Sequence, residues 1–93
     1  MSPLCGFLWS SEALDHLAGI PHKQRAQIVK KAKALILNPF PPGSKKLKGI
    51  TIDDGEAVHR ERSGDYRILY VVKTKPHSLV IVIDVDDRKD VYR

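Results

Sequence analysis

The apolar positions of this chain change their period as the sequence proceeds. Leu4 to Trp9 is a short apolar run that reads as a strand. Ser10-Ser11-Glu12-Ala13 then offers an N-cap and an acid for a first helical turn, and a helix follows to about Leu17, ending at Gly19. Pro21 suits the first turn of a second helix, where its missing N–H is not needed. Ile28, Ala32, Leu35 and Ile36 recur at spacings of three and four and form the buried stripe of that helix. Gln24, Gln27, Lys30, Lys31 and Ala34 fall away from the stripe, and Asn38-Pro39 stops the helix. Together the two segments predict a helical hairpin.

Phe40-Pro41-Pro42-Gly43-Ser44 is a turn-rich connector, and Lys45-Lys46-Leu47-Lys48-Gly49 reads as a loop with three ammonium groups around one apolar anchor. The second half carries strand signal throughout. Ala57 to Arg62, Tyr66 to Lys73 and Ser78 to Val85 are separated by Ser63-Gly64-Asp65 and by Thr74-Lys75-Pro76-His77, both of which read as hairpin connections. In Leu79-Val80-Ile81-Val82-Ile83 both alternating sets are apolar, which predicts a central strand buried on two faces. The expected order is β-α-α-β-β-β, an α+β fold of two layers with the helical hairpin packed on a mostly antiparallel twisted sheet. No repeat or heptad pattern interrupts it, and 93 residues suit one domain over 1–93.

Composition adds little to the fold but narrows the setting. The chain is 42% apolar and 29% charged, so it has the makings of a core along its whole length. A lone Cys5 can form no internal disulfide and fits a reducing, cytoplasmic setting. The apolar run at the start lacks a basic flank and is too short for a signal peptide or a membrane span, so no membrane association is expected. Net charge is +5, and its distribution matters more than its total. From Lys23 to Lys48 there are eight basic residues and no acidic one, while the remainder is slightly acidic by count. A field of that kind suits a polyanion, nucleic acid or an acidic protein; a solvated helix face would look the same.

His16, His22, His59 and His77 show no i,i+4 pairing and have no cysteine beside them, so neither a metal nor any other cofactor is expected. A glycine-rich phosphate loop and a serine-nucleophile motif are also missing from the sequence.

Three runs carry a resemblance: Lys45-Lys46-Leu47-Lys48-Gly49, Arg60 to Tyr70 (RERSGDYRILY), and Arg88-Lys89-Asp90-Val91-Tyr92-Arg93. In order and spacing they are similar to the RelE/ParE toxins, as are Trp9 to Leu14 and the helix-ending Asn38-Pro39. The resemblance implies a cytoplasmic toxin of a type II toxin–antitoxin system, neutralised by a cognate antitoxin that is usually acidic where it binds. RelE-like members cleave mRNA in the ribosomal A site without a metal, by attack of the ribose 2′-hydroxyl. ParE-like members instead poison DNA gyrase without enzymatic chemistry, since one fold hosts both activities. A degenerate homologue that only binds antitoxin is a third possibility.

RNA cleavage of this type needs a base for the 2′-hydroxyl, charge to stabilise the phosphorane, and help for the leaving 5′-oxygen. By the resemblance Arg67 would bind the scissile phosphate, to which a planar fork of donors is suited; a structural salt bridge is the plainer role. Arg88 would stabilise or protonate the leaving group. Tyr92 would stack on or orient a nucleotide, or simply pack against the sheet. Period-two alternation puts Arg60 and Arg62 on one face with Val58, and His59 and Glu61 on the other. Some relatives carry lysines at the positions of Val58 and Arg60, and an arginine is a poor proton acceptor, so Arg60 is read as an electrostatic catalyst. Asp87 stands where many relatives have histidine, and Val91 where another branch has a catalytic one. The general base is thus missing from its usual places, and His59 can serve only if a bulge turns it over. Lys45, Lys46, Lys48 and Arg62 are the expected RNA-backbone contacts, or else solvated cations.

Overall fold

The computed structural model describes residues 6–51, 57–73 and 79–87. Two helices lie on one five-stranded sheet: β1 (Gly6–Trp9), α1 (Ser11–Ala18), α2 (His22–Ala34), β2 (Lys45–Thr51), β3 (Ala57–Ser63), β4 (Tyr66–Lys73) and β5 (Leu79–Asp87). In space the strands run β1-β5-β4-β3-β2, antiparallel except for the parallel pair β1–β5. The two-layer α+β architecture is as expected, with one strand more than the order β-α-α-β-β-β. That strand is the correction. Lys45-Lys46-Leu47-Lys48-Gly49 is not a loop but most of β2, the sheet's edge, where lysines blunt pairing with other chains. Its register with β3 shifts between Lys46 and Thr51, so it has no regular alternation to betray it.

Local chemistry explains the helix ends. Ser10 caps α1: its Oγ accepts from Ala13 N–H at 3.0 Å and donates to the Ile83 carbonyl at 2.7 Å, tying the helix start to β5. α2 ends one turn before Asn38-Pro39, and residues 35–37 tighten through i→i+3 bonds from Leu35, Ile36 and Leu37 N–H. Asn38 Oδ1 then accepts from Phe40 N–H, and Pro41–Ser44 closes as a type II turn with Gly43 at φ +94°.

Ala13, Leu17, Ile28 and Ala32 from the helices, with Ile20 and Leu35 just beyond their ends, meet Ile68, Tyr70, Val80, Val82 and Val85 from the sheet in the core. Ile36, expected in the buried stripe, is half-buried. β5 is interior but not central, since β4 holds the middle; Val80 and Val82 are fully buried, whereas Leu79, Ile81 and Ile83 are half-buried. Residues 74–78, which include the second expected hairpin connection, lie outside the described residues. No helix among the described residues is long and apolar enough to cross a membrane.

Candidate functional site: an arginine row on the distal sheet face

Alternation on β4 sorts the sheet into two faces. Ile68, Tyr70 and Val72 point toward the helices, so Arg67, Leu69 and Val71 point to the distal face. Residues directly paired across strands share a face, and the register therefore builds rows. Arg62 (β3), Arg67 (β4) and Asp86 (β5) form one; Lys45 (β2), Arg60 (β3), Leu69 (β4) and Asp84 (β5) form the next; Val58, Val71 and Ile81 form a third. Neighbours in a row stand about 5 Å apart, close enough for one ligand to touch several.

Four of the residues singled out by the sequence, Lys45, Arg60, Arg62 and Arg67, thus converge on the distal face. Lys46 pairs with His59 on the helix side. The side chain of Lys48, and all of Arg88, Tyr92 and Arg93, lie outside the described residues.

Two of these cations are under-bonded. Arg60 Nε and Arg67 Nε are buried, and neither has a hydrogen-bond partner. Arg67 has an ion-pair contact with Asp86, Nη2 to Oδ2 at 3.6 Å, too long for a hydrogen bond. A buried donor without an acceptor costs about 1–3 kcal/mol, and a phosphate oxygen is an acceptor suited to the guanidinium fork.

His59 lies on the side opposite these arginines. Its ring stacks on Tyr70 (centroids 5.6 Å, 28°) and meets the edge of Phe40 at 5.0 Å. Burial, and then the charge of Lys46, hold its pKa below the usual histidine value. The strand alternation holds here, and His59 belongs to the packing.

One feature alternation alone does not foretell. Between Leu69↔Asp84 and Tyr70↔Val82 the β4–β5 register slips, leaving Ile83 as an extra residue on β5. Without that bulge Asp84 and Asp86 would share the helix-facing parity of Val80 and Val82; with it, Val85 keeps the core and the two aspartates turn to the distal side. A trace is visible in the sequence, where the apolar parity moves from even to odd at Val85 between acids.

β1 pairs with β5 only as far as Val82, so Asp84 and Asp86 stand beside the end of α1. His16 Nδ1 bonds Asp84 Oδ1 at 2.5 Å, and Asp84 Oδ1 also accepts from Val85 N–H. The bond to Asp84 and its charge raise the pKa of His16. Asp86 is also raised, by burial first and then by Asp84, against the opposing charges of Arg67 and His16. Ligand atoms of His16, Asp84 and Asp86 fall within 4.8 Å of one another, a grouping histidine spacing did not predict. His16 and Asp84 are already bonded to each other and Asp86 is ion-paired to Arg67, so the grouping is a charge network at the sheet edge. A cleft of about 580 Å³ opens beside it, lined by Asp15, His16, Ile20, Tyr66, Asp86 and Asp87 among others.

Residues 7–92 match the family described as the ParE toxin of type II toxin–antitoxin systems, parDE. The chain belongs to that family, within the RelE/ParE superfamily. Solved structures agree in fold. The archaeal RelE–RelB complex of Pyrococcus horikoshii OT3 superposes with a TM-score of 0.75 at 21% identity, over 90% of this chain and 94% of that one. The toxin–antitoxin complex RelBE2 of Mycobacterium tuberculosis gives 0.72 at 24%, over 91% and 99%. The intact E. coli RelBE complex gives 0.68 at 24%, over 89% and 95%. No curated protein matches the chain.

Proposed function

We propose that this family member is the toxin of a toxin–antitoxin pair, that a cognate antitoxin, acidic where it binds, neutralises it, and that the distal arginine row is its toxic surface. The reading that geometry favours is ribosome-dependent cleavage of mRNA in the A site. The observation that carries it is the pair of buried, unpartnered Nε donors on Arg60 and Arg67, facing the same way with Arg62 and Lys45 beside them. That arrangement suits a phosphodiester and the charge that builds on a phosphorane. In this reading Arg67 holds the scissile phosphate, Arg60 stabilises the transition state, Arg88 assists the leaving oxygen, Tyr92 orients a nucleotide, and Lys45, Lys48 and Arg62 grip flanking phosphates, while Lys46, on the helix side, stays outside the row. Antitoxin binding rests on the family match and on the company RelE keeps in the complexes above.

A second reading is favoured by the family match itself, whose description is ParE: a non-enzymatic toxin that inhibits DNA gyrase, or a homologue reduced to antitoxin binding. Expression in growing cells, with RNA ends and gyrase-linked DNA breaks mapped together, separates them. A-site cuts support cleavage; DNA breaks with intact mRNA support gyrase inhibition; a harmless protein sinks both toxic readings.

A further inference from the structure

We infer that Asp86 is the proton acceptor of the cleavage reaction, a role for which the usual family positions offer no group. The inference rests on the RNA-cleaving reading and adds its missing base.

Among the described residues, the distal face and its edge leave few choices. Asp84 is committed to His16 and to Val85 N–H. Glu61 pairs with Ile68 on the helix side and accepts from Arg62 N–H at 3.1 Å. His59 is stacked behind the sheet. Among the described acids and histidines, Asp86 alone sits in the same row as Arg62 and Arg67, with one carboxylate oxygen 3.6 Å from the Arg67 guanidinium. A phosphate held by Arg67 leaves its neighbouring 2′-hydroxyl within reach of the Asp86 carboxylate, which also borders the cleft of about 580 Å³ on the helix side of the sheet edge. The groups facing Asp86 are Arg67 and Tyr66 from β4, His16 and Asp15 from α1, and Asp84 and Asp87 from its own strand. Burial and the Asp84 charge raise its basicity, while Arg67 and His16 keep the ionised form accessible.

The step balances within the RNA. Asp86 carboxylate takes the 2′-hydroxyl proton, the 2′-oxygen bonds to phosphorus, and the bond from phosphorus to the 5′-oxygen breaks. The proton held by Asp86 then passes through water to the 5′-oxygen, leaving a 2′,3′-cyclic phosphate, a 5′-hydroxyl and the restored carboxylate.

The test is single-turnover cleavage of ribosome-bound mRNA across pH, for the wild-type chain, Asp86→Asn and Asp86→Ser. Wild-type rates should rise about tenfold per pH unit on the acid limb, then level off above the raised carboxylate pKa. Asp86→Asn should cut about 100-fold more slowly and lose the limb, while binding RNA no less tightly. Asp86 is half-buried between a repelling Asp84 and an attracting Arg67, so a far-UV circular dichroism spectrum and a thermal midpoint close to the wild type's show that slow cutting is not misfolding; Asp86→Ser repeats the test. Cleavage by Asp86→Asn within about threefold of wild type, or with the limb intact, overturns the inference while leaving the RNA-cleaving reading standing. A wild-type profile without the limb overturns it even if neither variant folds. Wild-type protein that makes no cuts overturns both.

Discussion

Tyr70→Phe removes one oxygen from the middle of the molecule, and the structure allows its cost to be worked out. The Tyr70 ring is fully buried on the central strand, and its hydroxyl donates to the Pro39 carbonyl at 2.6 Å, fastening the connector after α2 to the sheet. Phenylalanine keeps the ring, its burial and its stacking on His59, so no large cavity forms. What is lost is the hydrogen bond, worth about 0.5–1.5 kcal/mol net, and what remains is an unpaired carbonyl. Pro39 is half-buried and water can reach it in part, so the penalty stays near the low end of ~1–3 kcal/mol. The sum is about 1.5–2.5 kcal/mol, and each kcal/mol lowers the melting temperature of a domain this size by about 4–8 °C. Urea unfolding followed by circular dichroism should show an earlier midpoint with an unchanged slope. A midpoint shift equivalent to less than about 0.3 kcal/mol would refute the anchoring role of that hydroxyl.

Two further outcomes follow from other parts of the fold. His16 has a raised pKa through Asp84, so its contribution to stability is fully present below its unfolded value of 6.5 and is lost as pH rises through the folded pKa. His16→Gln should therefore lower the melting temperature at pH near 6 and leave it unchanged in alkaline buffer; equal losses at both would show that the ion pair is not the cause. Gly64 has φ +60° at the first position of the two-residue β3–β4 turn, with open space where a Cβ would go. Gly64→Ala should cost about 1–2 kcal/mol from backbone conformation alone, read by urea denaturation, and a neutral substitution would contradict that turn geometry.

How far the sequence discloses the molecule depends on which signal each element leaves. The helices are legible because Ile28, Ala32 and Leu35 keep a helical period and Ser10 supplies a cap. β3 and β4 are legible from length, alternation and Gly64. β2 is hidden because Lys45, Lys46 and Lys48 give an edge strand the composition of a solvated loop, and the register shift before Thr51 removes any period. At the site, alternation places Arg60 and Arg62 together and turns His59 away from them. It cannot supply Asp86 or His16: one depends on an extra residue at Ile83, the other on a helix crossing a sheet edge, and both are tertiary facts.

If the distal arginines form the toxic surface, toxicity should depend on them and antitoxin binding should not. Inducing wild-type protein and the double variant Arg60→Gln, Arg67→Gln in growing cells, with mRNA ends mapped and antitoxin binding measured on the purified chains, tests it most directly. Growth arrest with A-site cuts is expected for the wild type, and normal growth without cuts for a double variant that still binds antitoxin. A double variant that arrests growth and cuts mRNA as the wild type does would contradict it.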